Sequence, residues 1–83
     1  MSNDFKRVEI TWYDINASDG GWITKEEIDS HNVALCKDIC YIYRETADTI
    51  ITFSSISSNG NDSYEFGFAT AFPKGCIKSI REI

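Results

Sequence analysis

The chain has 83 residues, enough for one domain and one core, and its 42% hydrophobic and 13% aromatic content excludes a disordered or low-complexity polymer. Thirteen acidic residues against eight basic ones leave a net charge of −5, which opposes sequence-independent attraction to phosphate backbones and makes nucleic acid a poor expected partner. No run is long and apolar enough to span a bilayer, and the opening MSNDFKRVEI lacks the apolar stretch of a secretory signal, so the expectation is a soluble cytoplasmic protein without a membrane partner.

Residues 1–6 read as a flexible N-terminus. RVEITWYD then alternates, with Val8, Ile10 and Trp12 on one side and Arg7, Glu9 and Thr11 on the other, the period of a half-buried strand. The stretch DINASDGGWITKEE resembles a calcium loop in composition, but not in spacing. With Ile23 eighth and Glu27 twelfth, the early ligand positions fall on Asn16, Ser18 and Gly20, and an EF-hand needs a helix where this chain has a strand. Thr24 and Glu27 fit a helix start instead: an N-cap with its capping-box partner three residues on, flanked by Ile23 and Ile28 at the spacing of a hydrophobic staple. Glu26 and Glu27 also sit where the helix dipole favours negative charge.

VALCKDICYIYRE reads as a long strand with Leu35, Ile39, Tyr41 and Tyr43 on one face and Cys36, Cys40 and Ile42 on the other. Both faces are partly apolar, which predicts a bend or bulge. After the polar turn TAD, TIITFSSIS supplies a third strand, and the Asn-Gly pair of SNGND predicts a tight hairpin turn. SYEFGFATAF alternates so regularly that Tyr64, Phe66, Phe68 and Phe72 are expected on one face, with the small residues Gly67, Ala69 and Ala71 opposite to admit a close neighbour. Pro73 and Gly75 break the ladder before IKSIREI closes as a last strand.

The predicted architecture is all-β with one short helix: a single domain over residues 1–83 forming a small five-stranded SH3-like barrel, with an OB-like barrel as the alternative. Cysteine usage is consistent with a reducing compartment. Cys36, Cys40 and Cys76 are an odd number, and Cα atoms four residues apart on a strand stand about 13 Å from each other, too far for two arms of one zinc site. Buried, reduced thiols are the expectation, with no metal and no cofactor.

His31, the sole histidine, has no Ser or Cys beside it and reads as a turn residue, and no triad or paired-carboxylate cleft emerges, so no catalytic residue is assigned. Lys74, Lys78 and Arg81 form a local basic patch that reads first as a solvated face. The candidate binding residues are aromatic and acidic: Tyr13, Asp14 and Trp22 around the first long loop, and Tyr43 on the long strand. Trp12, in phase with Val8 and Ile10, is expected in the core.

The combination of TWYD, GGW, EE, CKDICYIYRETADTII and FPKGCIKSI resembles a group of small uncharacterised proteins of tailed bacteriophages and prophages, over most of the chain from about Val8 onward. The shared features are a Trp-x-Asp start at Trp12 to Asp14, a Gly-Trp at Gly21 and Trp22, and a Pro-Lys-Gly-Cys-Ile ending at Pro73 to Ile77. The resemblance implies a phage accessory protein acting in the host bacterial cytoplasm. Together with the acidic charge and the aromatics, it leads to the expectation of a non-enzymatic binding module for a host or phage protein, folding alone or as a homo-oligomer. The rivals are an oligomeric sink for a nucleotide-like ligand held by Lys74, Lys78 or Arg81, and a virion or assembly component.

Overall fold

A computed structural model describes residues 5–58 and 63–83. Seven strands and one short helix follow in chain order: β1 (Arg7–Asp14), α1 (Lys25–Asp29), β2 (Ala34–Glu45), β3 (Thr49–Phe53), β4 (Ser55–Ser58), β5 (Tyr64–Gly67), β6 (Thr70–Pro73) and β7 (Ile77–Glu82), with one 3₁₀ turn at Lys74–Cys76 before β7. Five of them form an antiparallel sheet in the order β6-β3-β2-β1-β7, and β4 pairs with β5 as a separate ribbon. The all-β expectation with one short helix is met, but two of the expected strands are each split. The third breaks at Ser54 into β3 and β4, and the fourth breaks at Phe68 into β5 and β6. The predicted Asn59-Gly60 turn lies outside the described residues, as do residues 1–4 of the expected flexible N-terminus.

The second break has a specific backbone cause. Phe68 adopts φ 56°, the left-handed region, so the alternation that would have carried Tyr64 to Phe72 along one face is interrupted. Phe66 and Phe72 consequently enter different clusters. The expected close approach on the small-residue face is present at Gly67, where a Cβ would stand 3.2 Å from Ser55 Cβ.

The sheet is strongly curled. Trp12 of β1 and Phe72 of β6 lie three strand positions apart, at least about 14 Å in a flat sheet, yet their ring centroids are 5.4 Å apart. The two edge strands β6 and β7 are joined by only Lys74–Cys76, which likewise demands that the edges bend toward each other. No ladder joins β6 to β7 among the described residues, so the observed object is an open, curled sheet and not the closed barrel that the sequence predicts.

Curling wraps the inner face around Val8, Ile10, Cys40 and Phe72, all buried, with Trp12, Ile42 and Ile77 packed against them. Trp12 therefore belongs to the core margin, and its indole Nε1–H donates to Asp38 Oδ2 at 3.1 Å, which satisfies the one polar atom the ring brings inward. Cys40 is buried and Cys36 and Cys76 are half-buried, all three as free thiols. Burial pushes the Cys40 thiol up from its ordinary value, a hydrogen bond with Thr52 opposes this, and the Asp38 charge adds to it.

The long excursion between β1 and β2 is held by its own short-range bonds. Thr24 accepts from the Glu27 N–H at 3.1 Å while Glu27 Oε1 accepts from the Thr24 N–H at 3.3 Å, the capping box expected from sequence. His31 donates from Nε2 to the Asn16 carbonyl, and Asn16 Nδ2 donates to the Asn32 carbonyl at 3.0 Å, closing the base of the loop. Ile23 and Ile28 remain exposed.

Candidate functional site

The outer face of the curled sheet carries a second cluster, made of rings. Phe53 of β3 is 2% exposed although it points away from the inner core, because Tyr41 stacks on it at 5.5 Å and Phe5 and Phe66 meet it edge-on at 5.0 and 4.9 Å. Tyr43 completes the cluster through Phe66 at 5.2 Å and Phe5 at 6.1 Å. Offset and edge-to-face pairs of this kind contribute roughly 0.5–1.5 kcal/mol each beyond burial. Phe5, which falls in the segment expected to be flexible, is thus fixed by three rings, and the Lys6 carbonyl accepts from the Ile42 N–H at 2.9 Å.

Backbone irregularity positions the cluster. β2 pairs with β3 at Ile42↔Thr52 and then at Arg44↔Ile51, so Tyr43 is the extra residue of a bulge, the bend that the two apolar faces of this strand predict. A bulge redirects a side chain, and here it leans Tyr43 toward Phe66 across the ribbon. Between them opens a cleft of about 290 Å³ lined by Tyr43, Ile51, Thr52, Phe53, Phe66 and Ala69. Its lining is rings and methyl groups, and the Thr52 hydroxyl already donates to the Thr70 carbonyl at 3.4 Å. Such a surface suits van der Waals contact with one apolar side chain and holds no nucleophile beside a base.

Tyr43 and Phe66 remain half-exposed at the rim, and Phe68 next door is 82% exposed. A non-glycine residue in the left-handed region costs roughly 1–2 kcal/mol, and an exposed ring recovers none of that from burial. Along β2 the same face carries Ile39 and Leu35, both more than half exposed, with the charged Lys37 between them and Tyr13 opposite Leu35 on β1.

The four binding residues inferred from sequence do not form one site. Tyr43 is in the cleft. Tyr13 and Asp14 end β1 opposite Leu35 and Ala34, eight residues or more along β2 from Tyr43, about 26 Å away on an extended strand. Asp14 accepts from the Ile15 N–H at 2.8 Å, a local turn bond. Trp22 stands fully exposed on the loop after Gly20, whose φ of 92° sets the turn. A polar cleft of about 410 Å³ opens within this loop, but Glu27, His31 and Asn16, which line it, are already bonded as described.

Sequence reading missed Phe5, Phe66, Phe68 and Ala69 as site residues. Phe66 and Phe68 carried a signal, since both lie in an aromatic run, but the run suggested one buried face. The basic residues of the C-terminal patch are partly engaged: Lys74 Nζ bonds Glu45 Oε2 at 2.7 Å and Arg81 bonds Glu9 Oε1 at 3.2 Å. The hydrogen bond from Lys74, and then its charge, hold the Glu45 carboxyl below its ordinary value. No described helix is long and apolar enough to cross a membrane. Comparison with protein-family models, curated proteins and solved structures finds no match for this chain.

Proposed function

We propose that this chain is a non-enzymatic binding module that engages a host or phage protein through the aromatic cleft beside Tyr43. The observation that carries the reading is the cleft itself: an apolar socket rimmed by half-exposed Tyr43 and Phe66, on a sheet face that also exposes Ile39. The fold reading that goes with it is an SH3-like barrel open along the seam between β6 and β7, supported by the strand order and the short 3₁₀ connection. The place of action, as a phage accessory protein in the host cytoplasm, is supported by the sequence resemblance alone.

A photo-crosslinking residue at position 43, compared with one at position 78, tests the reading in lysate of infected cells. One protein captured from position 43 and not from position 78, and lost from pull-downs made with Tyr43→Ala, is the expected result. Equal capture from both positions would remove the cleft from the account. A nucleotide screen by calorimetry is expected to be silent, because Lys74 and Arg81 already face carboxylates; tight binding there would favour the ligand sink instead.

A further inference from the structure

We propose that the cleft accepts Phe68 of a second copy of this chain, so that two protomers join through reciprocal insertion of Phe68 beside Tyr43. The inference rests on the cleft being a socket for an apolar side chain, as argued above.

Two observations converge on this occupant. Phe68 has φ 56° and is 82% exposed, a conformation and an environment that disfavour a large L-residue. It sits between Phe66 and Ala69, both of which line the cleft, so projecting ring and socket belong to one patch while the ring leaves its own socket open. A patch that carries both a projection and its complement is what a two-fold interface requires, since each contact made by one protomer is returned by the other.

Charge permits the approach, because the cleft lining contains no ionisable side chain other than the Tyr43 phenol, so the net charge of −5 is not concentrated there. The socket also suits a single ring better than a larger ligand, being at the lower limit of small-molecule pockets.

Sedimentation equilibrium over a hundredfold concentration range reads the outcome. Wild type is expected to pass from monomer to dimer. Phe68→Ala and Phe68→Gly are expected to weaken association at least tenfold, as is Ala69→Leu, which fills the socket, while Trp22→Ala, which removes an exposed ring elsewhere, leaves it unchanged. Phe68→Gly also relieves the left-handed backbone, so at dilutions where every variant is monomeric it should melt no lower than wild type, which separates lost association from lost folding. A mixture of Phe68→Ala, which keeps the socket, with Ala69→Leu, which keeps the ring, should associate more tightly than either variant alone.

A wild type that stays monomeric throughout, or a dimer indifferent to Phe68, overturns the inference. A short phenylalanine-containing peptide added to monomeric protein then distinguishes the two readings. Shifts in the NMR signals of Tyr43 and Phe66 would leave the binding cleft standing without self-association, and no shifts would remove both.

Discussion

The two faces of one sheet follow different rules. On the inner face, Val8, Ile10, Cys40 and Phe72 are enclosed because the sheet curls over them until β6 reaches β1. On the outer face the same strands present Tyr41, Tyr43 and Phe53 to Phe5 and to Phe66 of one short ribbon, and these rings cover Phe53 but leave Tyr43 and Phe66 half-open. Curvature accounts for the difference, since bending a sheet tightly around one side shields that side and spreads the other. The inner face supplies stability, and the outer face supplies stability at its centre and contact at its rim.

The sharpest way to break this contrast is to remove the most buried side chain of each face. Ile10→Ala should cost about 2–5 kcal/mol and Phe53→Ala about 3–5 kcal/mol, read as lower midpoints in urea at unchanged slope. If Phe53→Ala costs under about 1 kcal/mol, the outer rings are decoration and the comparison collapses. Tyr43→Ala removes two ring contacts from a residue that is half exposed, and its expected loss is about 1–2 kcal/mol. Tyr43→Phe should be nearly neutral in the same denaturation, because the rings and not the phenol hold the cluster.

Thr24→Ala probes a region that belongs to neither face. Losing the capping box should weaken α1 by about 1 kcal/mol, seen as faster amide exchange in residues 25–30 with the sheet amides unaffected. Slower or unchanged exchange there would mean the loop is held by something other than its own caps. The smallest effect is electrostatic. Glu45 is stabilised as the carboxylate by Lys74, so its contribution is fully present above its ordinary value of 4.5 and is lost as the pH falls through the lowered folded value. Melting temperatures measured down through that window should fall more steeply for wild type than for Lys74→Met, and parallel curves would show the pair to be inert.

Much of the inner face was legible in the sequence. Val8, Ile10 and Trp12 alternate, Cys36, Cys40 and Ile42 share a face, and both patterns report a period set by the backbone itself. The capping box was legible for the same reason, since Thr24 and Glu27 need only each other. The site was less legible. Of Tyr13, Asp14, Trp22 and Tyr43, only Tyr43 lies in the cleft, because the other three were linked by nearness in sequence to one loop while the cleft is assembled from β2, β3 and the β5–β6 bend. Phe5 carried no pattern at all, and its role depends on Tyr43, Phe53 and Phe66, on strands far later in the chain.

By itself, then, the sequence determined which segments are extended and where the one helix begins. Tertiary structure alone decided where the alternation fails. The left-handed turn at Phe68 sends Phe66 and Phe72 to opposite sides of the sheet, the bulge at Tyr43 brings its ring to Phe66, and the curl leaves the seam between β6 and β7 open. The physical reason is range: strand period and caps are satisfied within a few residues, whereas register, bulge position and curvature are set by partners far along the chain that no local pattern encodes.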